Sequence, residues 1–355
     1  MTYSTGSGDY NALMAAVLAH AVSDGWTTTG GNWPISKGNV RGVDWTSYTA
    51  SEADRTLLGG ASKTARYIRI AIGTSTANAT ANKAANGTSV QVANMEYALT
   101  SWHIFSDPSV CDHINVVANF SNGVNADCYT HFSFGELDKH GMGHTAIVYA
   151  TSSPKRGYSV DGSVNITCGD WNGGEYGRTL SPYVGQAAFS YQSYYNGCNN
   201  LVWIVDPTIA PLPASGWPAI NALNDNSQVL NTIQHYSSSW TNIQPSFRTA
   251  SNSEPSWSCW PQFTTPQPYS GAVSMAPLPF WVLQSLTSSA QIMYVGSFPN
   301  VRVCSMESYN PQTIITYGSE DWMLFPMLRS TPWAQMQTLD VVSSGRTGYA
   351  FKKVP

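Results

Sequence analysis

Residues 112–134 constrain this chain most. Asp112-His113-Ile114-Asn115-Val116-Val117-Ala118-Asn119-Phe120 is a β-branched run, Ser121-Asn122-Gly123 follows it, and a second such run returns near Asp127 to Phe134. β-branched and aromatic side chains fit a pleated surface, and Asn-Gly readily takes the positive φ angles of a primed two-residue turn. An antiparallel hairpin is therefore expected. It sets Cys111 and Cys128 on opposite arms and makes them a candidate disulfide pair.

Upstream, Tyr10, Leu13, Met14, Val17, Leu18 and Ala21 recur at helical spacing, with Asp9 as N-cap and Gly25 just past the end. Trp26 to Thr29 and Trp33 to Ile35 read as strands about a Gly30-Gly31-Asn32 turn, so the helix is expected to lie across that small sheet. Arg66 to Ile72 and Ser101 to Phe105 are further strands, and Thr74 to Thr88 is a surface excursion without bulky apolar residues. The middle is rich in Gly, Pro, Tyr and Trp; weak helical spacing runs over Trp217 to Leu223 and from Ser227 into Gln234. Strands return at Phe280 to Leu283, Gln291 to Val295, Val301 to Met306, Ile314 to Tyr317 and Trp322 to Phe325.

The expected fold is α+β: an N-terminal amphipathic helix packed on antiparallel sheet, with a β-rich C-terminal segment returning to the same core. The expected organisation is an N-terminal domain over residues 1–150, a variable insertion over 151–270, and a C-terminal segment over 271–355 that completes the first domain. No period of 20 to 50 residues suggests a solenoid or propeller.

Charge excludes several functions. Asp, Glu, Lys and Arg make up 11% of the chain, against roughly 25% in an ordinary soluble domain. Net charge is −4 and the only adjacent bases are Lys155-Arg156 and Lys352-Lys353, too few for a phosphate-reading face, so no nucleic acid is expected as partner. No apolar run reaches the roughly 18 residues of a membrane span, and the best, Leu13 to Ala21, is interrupted by His20. The start lacks the pattern of a signal peptide, so synthesis in a cytoplasm is expected. With 13 Trp and 19 Tyr the surface is neutral and aromatic, which suits either a subunit interface or a sugar-binding face.

Reactive residues concentrate in one segment, His131 to His144, with His103 and His113 upstream. Gly141 and Gly143 make a turn of it, no H-E-x-x-H is present, and neither a metal nor a cofactor is expected. Glu136 and Asp138 are a close carboxylate pair that a glycosidase could use across a sugar cleft, yet Lys139 beside them reads as a salt-bridged turn. Neither G-x-S-x-G nor a phosphate-binding Gly-rich loop occurs, and the chain reads as a non-enzyme. The cysteines at Cys111, Cys128, Cys168, Cys198, Cys259 and Cys304 lack C-x-x-C spacing; they are buried thiols or disulfides formed within or between subunits.

Several segments, taken in order, resemble a family of tailed-bacteriophage virion structural proteins. The first is Asp112 to Phe120 followed by His131-Phe132-Ser133-Phe134-Gly135-Glu136-Leu137-Asp138-Lys139-His140-Gly141, similar to an HFxFGExxKxG turn. Val295 to Val303, then Gly318-Ser319-Glu320-Asp321-Trp322-Met323-Leu324-Phe325-Pro326, and the closing Gly348 to Lys353 resemble later segments of the same family. On this resemblance His131, Phe134, Gly135, Glu136, Lys139, Gly141, Trp322, Phe325 and Pro326 are structural motif residues. After Gly141 the family's Gly-Gly-rich continuation is replaced by Met142-Gly143-His144.

The resemblance implies a building block of the neck, collar, tail or baseplate, assembled in the bacterial host cytoplasm and resident in the virion. Its partners would be copies of itself, as a trimer or ring, and other virion proteins. A neck or collar sheath is the first expectation, because few charges and six cysteines suit a static shell. The alternative is a tail or baseplate host-recognition protein whose aromatic rings stack on surface glycans.

Overall fold

The computed structural model describes residues 3–29, 32–38, 40–49, 66–72, 89–92, 99–120, 128–139, 147–152, 201–205, 229–231, 243–244, 275–283, 292–306, 308–326 and 347–354. Among these residues nineteen strands stand against one helix, and every strand pairing is antiparallel. The α+β expectation is therefore corrected to a β-rich fold. The physical reason is that the core lies mostly between sheets, and the helix covers only one end of one of them.

The helix, α1, spans Tyr10–Ser23. The Asp9 side chain accepts from the Ala12 N–H at 2.9 Å, satisfying one of the donors that a helix start leaves free. At the other end Gly25 has φ +87°, and the Trp26 N–H turns back to the Ala21 carbonyl at 3.0 Å, closing the helix. Leu13, Val17, His20 and Ala21 form its buried face. The helix lies against β1 (Tyr3–Gly8) and β7 (Leu99–Phe105), and not across the hairpin that follows it.

That hairpin, β2 (Thr27–Thr29) and β3 (Asn32–Lys37), opens a side sheet completed by β4 (Val40–Thr49), β5 (Arg66–Ile72) and β6 (Ser89–Val92). The central sheet runs β1, β7, β8 (His113–Phe120), β9 (Cys128–Glu136), β11 (Ile147–Ser152), β12 (Leu201–Val205) and β13 (Val229–Asn231). The hairpin of β8 and β9 is present, with Phe120 opposite Cys128; Asn122-Gly123, expected to make its turn, lies outside the described residues. Helical spacing from Ser227 into Gln234 gives way to β13, which adds to the edge of β12. The segment from Trp217 to Leu223 lies outside the described residues.

A rear sheet is built from β14 (Ile243–Gln244), β15 (Met275–Leu283), β16 (Ile292–Ser305), β19 (Thr347–Lys353), β18 (Glu320–Pro326) and β17 (Ile314–Tyr317), in that order. The two C-terminal strands expected at 291–295 and 301–306 are one strand, β16, running through Gly296 and Pro299. Among the described residues the C-terminal segment adds no strand to the central sheet. It packs face to face on it, with Phe105 stacked on Phe351 at 5.2 Å and edge-on to Phe325 at 6.1 Å.

Strand alternation gives the central sheet two buried faces. Trp102, Ile104, Ile114, Val116, Phe132 and Phe134 lie on one, where Phe134 meets Trp26 edge-on at 5.8 Å. His103, Phe105, Asn115, Val117, His131 and Ser133 lie on the other, toward the rear sheet. Fully buried Phe and Tyr rings on both sides fill this second layer. No described helix is long and apolar enough to cross a membrane.

Candidate functional site

The residues most suited to chemistry meet in the seam between the central and rear sheets. Register sets His103 on β7 opposite Val117 on β8, and Val117 opposite His131 on β9, so the two histidines flank one valine in a row. The chain then passes between the sheets: β9 ends at Glu136, and after Leu137 the strand β10 (Asp138–Lys139) pairs with Ser297 and Gly296 of β16. The expected glycine turn is thus, over 131–139, two strands that join two sheets.

Gly135 permits that crossing. Its φ is +143°, and a Cβ there would stand 2.4 Å from both the Asp112 carbonyl oxygen and the His113 Cα. The Glu136 N–H donates to the same Asp112 carbonyl at 2.8 Å, which draws the start of β8 onto the end of β9. Only glycine tolerates both the backbone angle and the contact.

Polar side chains pin the sheets to each other. The Asn115 amide donates to the Pro299 carbonyl at 3.0 Å, and Ser133 Oγ donates to Asn115 Oδ1 and shares a 2.8 Å bond with the Tyr149 hydroxyl. His131 Nε2 lies 3.0 Å from the Pro326 carbonyl, which requires the proton on that nitrogen. His113 Nδ1 likewise donates to the Cys111 carbonyl at 3.0 Å, leaving Nε2 to face the Asn300 amide at 3.4 Å. Around these bonds His103 lies against Phe325 at 5.0 Å, His131 against Tyr349 at 5.4 Å, and Tyr149 against Phe298 at 5.0 Å.

Burial sets the charge state. It lowers His113 to about 4, with the Cys111 carbonyl and nearby carboxylates opposing it only in part. His103 is also lowered to about 4, by burial and then by the Lys353 charge. Burial raises the Tyr149 hydroxyl and the Cys111 and Cys304 thiols far above their usual ranges. At neutral pH these groups are uncharged, and a protonated thiol is a poor nucleophile.

The carboxylates expected to pair belong to different sheets: Glu136 stands opposite Val148 in the central sheet and Asp138 opposite Ser297 in the rear one. Among the described residues no group of three or more His, Cys, Asp or Glu converges as a metal site requires. Gly141, His140 and His144 lie outside them. Cys111 and Cys304 carry free thiols. Their pairing partners are excluded in one case by register: Cys128 opposes Phe120 at one end of the hairpin, whereas the Cys111 thiol reaches the Glu136 carbonyl (3.2 Å) at the other. The two are separated by roughly 25 Å of strand, far beyond disulfide reach. Cys168, Cys198 and Cys259 lie outside the described residues.

Of the other motif residues, Phe325 and Pro326 close the seam from β18, and Lys139 pairs with Gly296. Trp322 faces the opposite way, beneath the Arg302 guanidinium at 4.3 Å, in a cluster with Cys304, Met306, Leu324 and Ala350.

Sequence reading missed two buried sets. His20 Nε2 lies 2.8 Å from Ser106 Oγ and 3.4 Å from Asp24 Oδ2, while Ser4 meets Nδ1 at 2.9 Å. This Ser–His–Asp set is not a catalytic triad, because Ser106 donates directly to Asp24 and both crowd one ring nitrogen. All three side chains are buried, and the set locks α1 to the end of β7. Lys352 pairs with Asp107 at 3.2 Å and Glu320 at 2.9 Å, joining the turn after β7 to the rear sheet. Burial alone would raise Asp107, but bonds from Ser109 and Lys352 outweigh it and hold the carboxyl below its usual range. The available signal was a polar residue interrupting an apolar pattern, as His20 does in the helix and Asn115 in the strand.

No protein-family model matches the chain, and no curated protein matches it significantly.

Proposed function

We propose that this chain is an architectural subunit of a tailed-phage particle, built into the neck or collar and acting through contacts with copies of itself and neighbouring virion proteins. One observation carries the reading. The segment that resembles the phage family, His131 to Lys139, is where the chain crosses between sheets; His131 bonds to the Pro326 carbonyl of the rear sheet, and Ser133 bonds to Asn115, whose amide reaches the Pro299 carbonyl of that sheet. A segment placed this way serves the fold by joining its sheets. Low charge agrees with it, since permanent interfaces are depleted in charged groups. Full burial of Cys304 keeps its thiol from cross-linking copies of the chain.

Quantitative mass spectrometry of purified particles tests this. The chain is expected at a fixed copy number that is a multiple of three or six; its absence from particles contradicts the reading. The depolymerase alternative has its own test. Glu136→Gln is expected to leave any polysaccharide hydrolysis by particles unchanged, whereas a loss of hydrolysis with the chain still incorporated would make Glu136 a catalytic acid.

A further inference from the structure

We propose that the outer edge of β17 pairs, antiparallel about a twofold axis, with β17 of a second copy of this chain. The inference rests on the architectural reading above and names one surface through which copies meet in pairs; joining such pairs into a ring takes a second contact.

β17 ends the rear sheet, and among the described residues no strand covers its far side. The Leu324 N–H donates to the Thr313 carbonyl at 2.9 Å, which fixes residues 313, 315 and 317 as those bonded to β18. The N–H and C=O of Ile314 and Thr316 therefore point away from the sheet. Folded proteins blunt such edges with charges, prolines or inward-pointing lysines. Residues 314–317 have none of these, Ile314 is 44% exposed, and Tyr317 is 61% exposed.

The occupant follows from charge and register. Residues 308–319 contain no Asp, Glu, Lys, Arg or His, so bringing the segment against its own copy meets no like-charge repulsion. With Ile315 opposite Ile315 of the second copy, the outward groups of Ile314 meet those of Thr316 in both directions, a closed set of roughly four main-chain hydrogen bonds. Tyr317 then lies opposite Thr313 of the second copy and adds ring area on the face shared with Ile315. A four-residue pairing buries less than a standard interface, so the contact is weak in dilute solution and strengthens with concentration.

Sedimentation velocity of the full chain across a concentration series tests the proposal. A reversible dimer is expected. Thr316→Pro, which removes an outward N–H and leaves the main-chain bonds to β18 in place while losing the Thr316 hydroxyl's bond to Asp321, is expected to weaken it by about tenfold or more. Circular dichroism establishes that this variant is folded, and Ile314→Lys serves as a second variant with the same expected effect. Under oxidation Ile315→Cys is expected to cross-link copies, because that pair's Cα atoms would stand about 4.5 Å apart, and Tyr317→Cys is not. A monomer at every concentration, association unchanged by both edge variants, or equal cross-linking at 315 and 317 overturns the proposal. Particle mass spectrometry decides the architectural reading separately, so an edge that fails while the chain remains in particles leaves only the edge refuted.

Discussion

Gly135 and Asn115 hold the seam at the residue scale, and each gives a measurable expectation. Gly135→Ala must either push the Asp112–His113 backbone away or abandon φ +143°, and a loss of about 3 kcal/mol or more is expected in urea unfolding. A loss under about 1 kcal/mol would mean that the crossing tolerates a side chain. Asn115→Ala removes both the donor to Pro299 and the acceptor of the buried Ser133 hydroxyl, with an expected cost of about 1–3 kcal/mol. The buried histidines make stability depend on pH. An unfolded chain takes up their protons near 6.5, whereas His103 and His113 in the folded state do so only at about 4. The unfolded state therefore gains protons first as pH falls: stability is fully present above 6.5, is lost progressively down to about 4, and levels off below that. Each histidine accounts for about 3 kcal/mol of that loss. Urea midpoints at pH 7, 5.5 and 4 should fall, and His113→Asn should flatten the slope; an unchanged slope would place His113 in contact with water.

At the scale of elements, the helix and most strands were legible because their periodicity is written in apolar residues. Asp9, the stripe from Leu13 to Ala21 and Gly25 all lie where spacing and capping place them. Asp9→Ala is expected to cost about 1 kcal/mol, read as a lowered thermal midpoint. β1, Tyr-Ser-Thr-Gly-Ser-Gly, escaped notice because an edge strand pairing on one side needs no apolar alternation. β13 was mistaken for helix because three residues are too few to show a period of two. The α+β expectation gave one well-formed helix the weight of a layer. Which faces would be buried depended on sheets stacking, and a single-sequence pattern does not encode stacking. The site was legible as a dense segment, but the crossing between sheets over residues 131–139 was not, and Gly141 and Gly143, on which the expected turn rests, lie outside the described residues.

The whole molecule is a central antiparallel sheet covered on both faces, with the rear sheet on one and the side sheet and α1 on the other. Among the described residues the histidines His103 and His113 are buried and uncharged at neutral pH, and no strand covers the outer side of β17, where Ile314 and Tyr317 are exposed. The most direct measurement is cryo-electron microscopy of the intact particle to a resolution that separates strands. Density for this three-layered β unit should repeat around the particle axis at the neck or collar, one copy against the next. A particle whose neck, tail and baseplate density is wholly accounted for by other chains, with this protein recovered only as free monomer, would contradict the account.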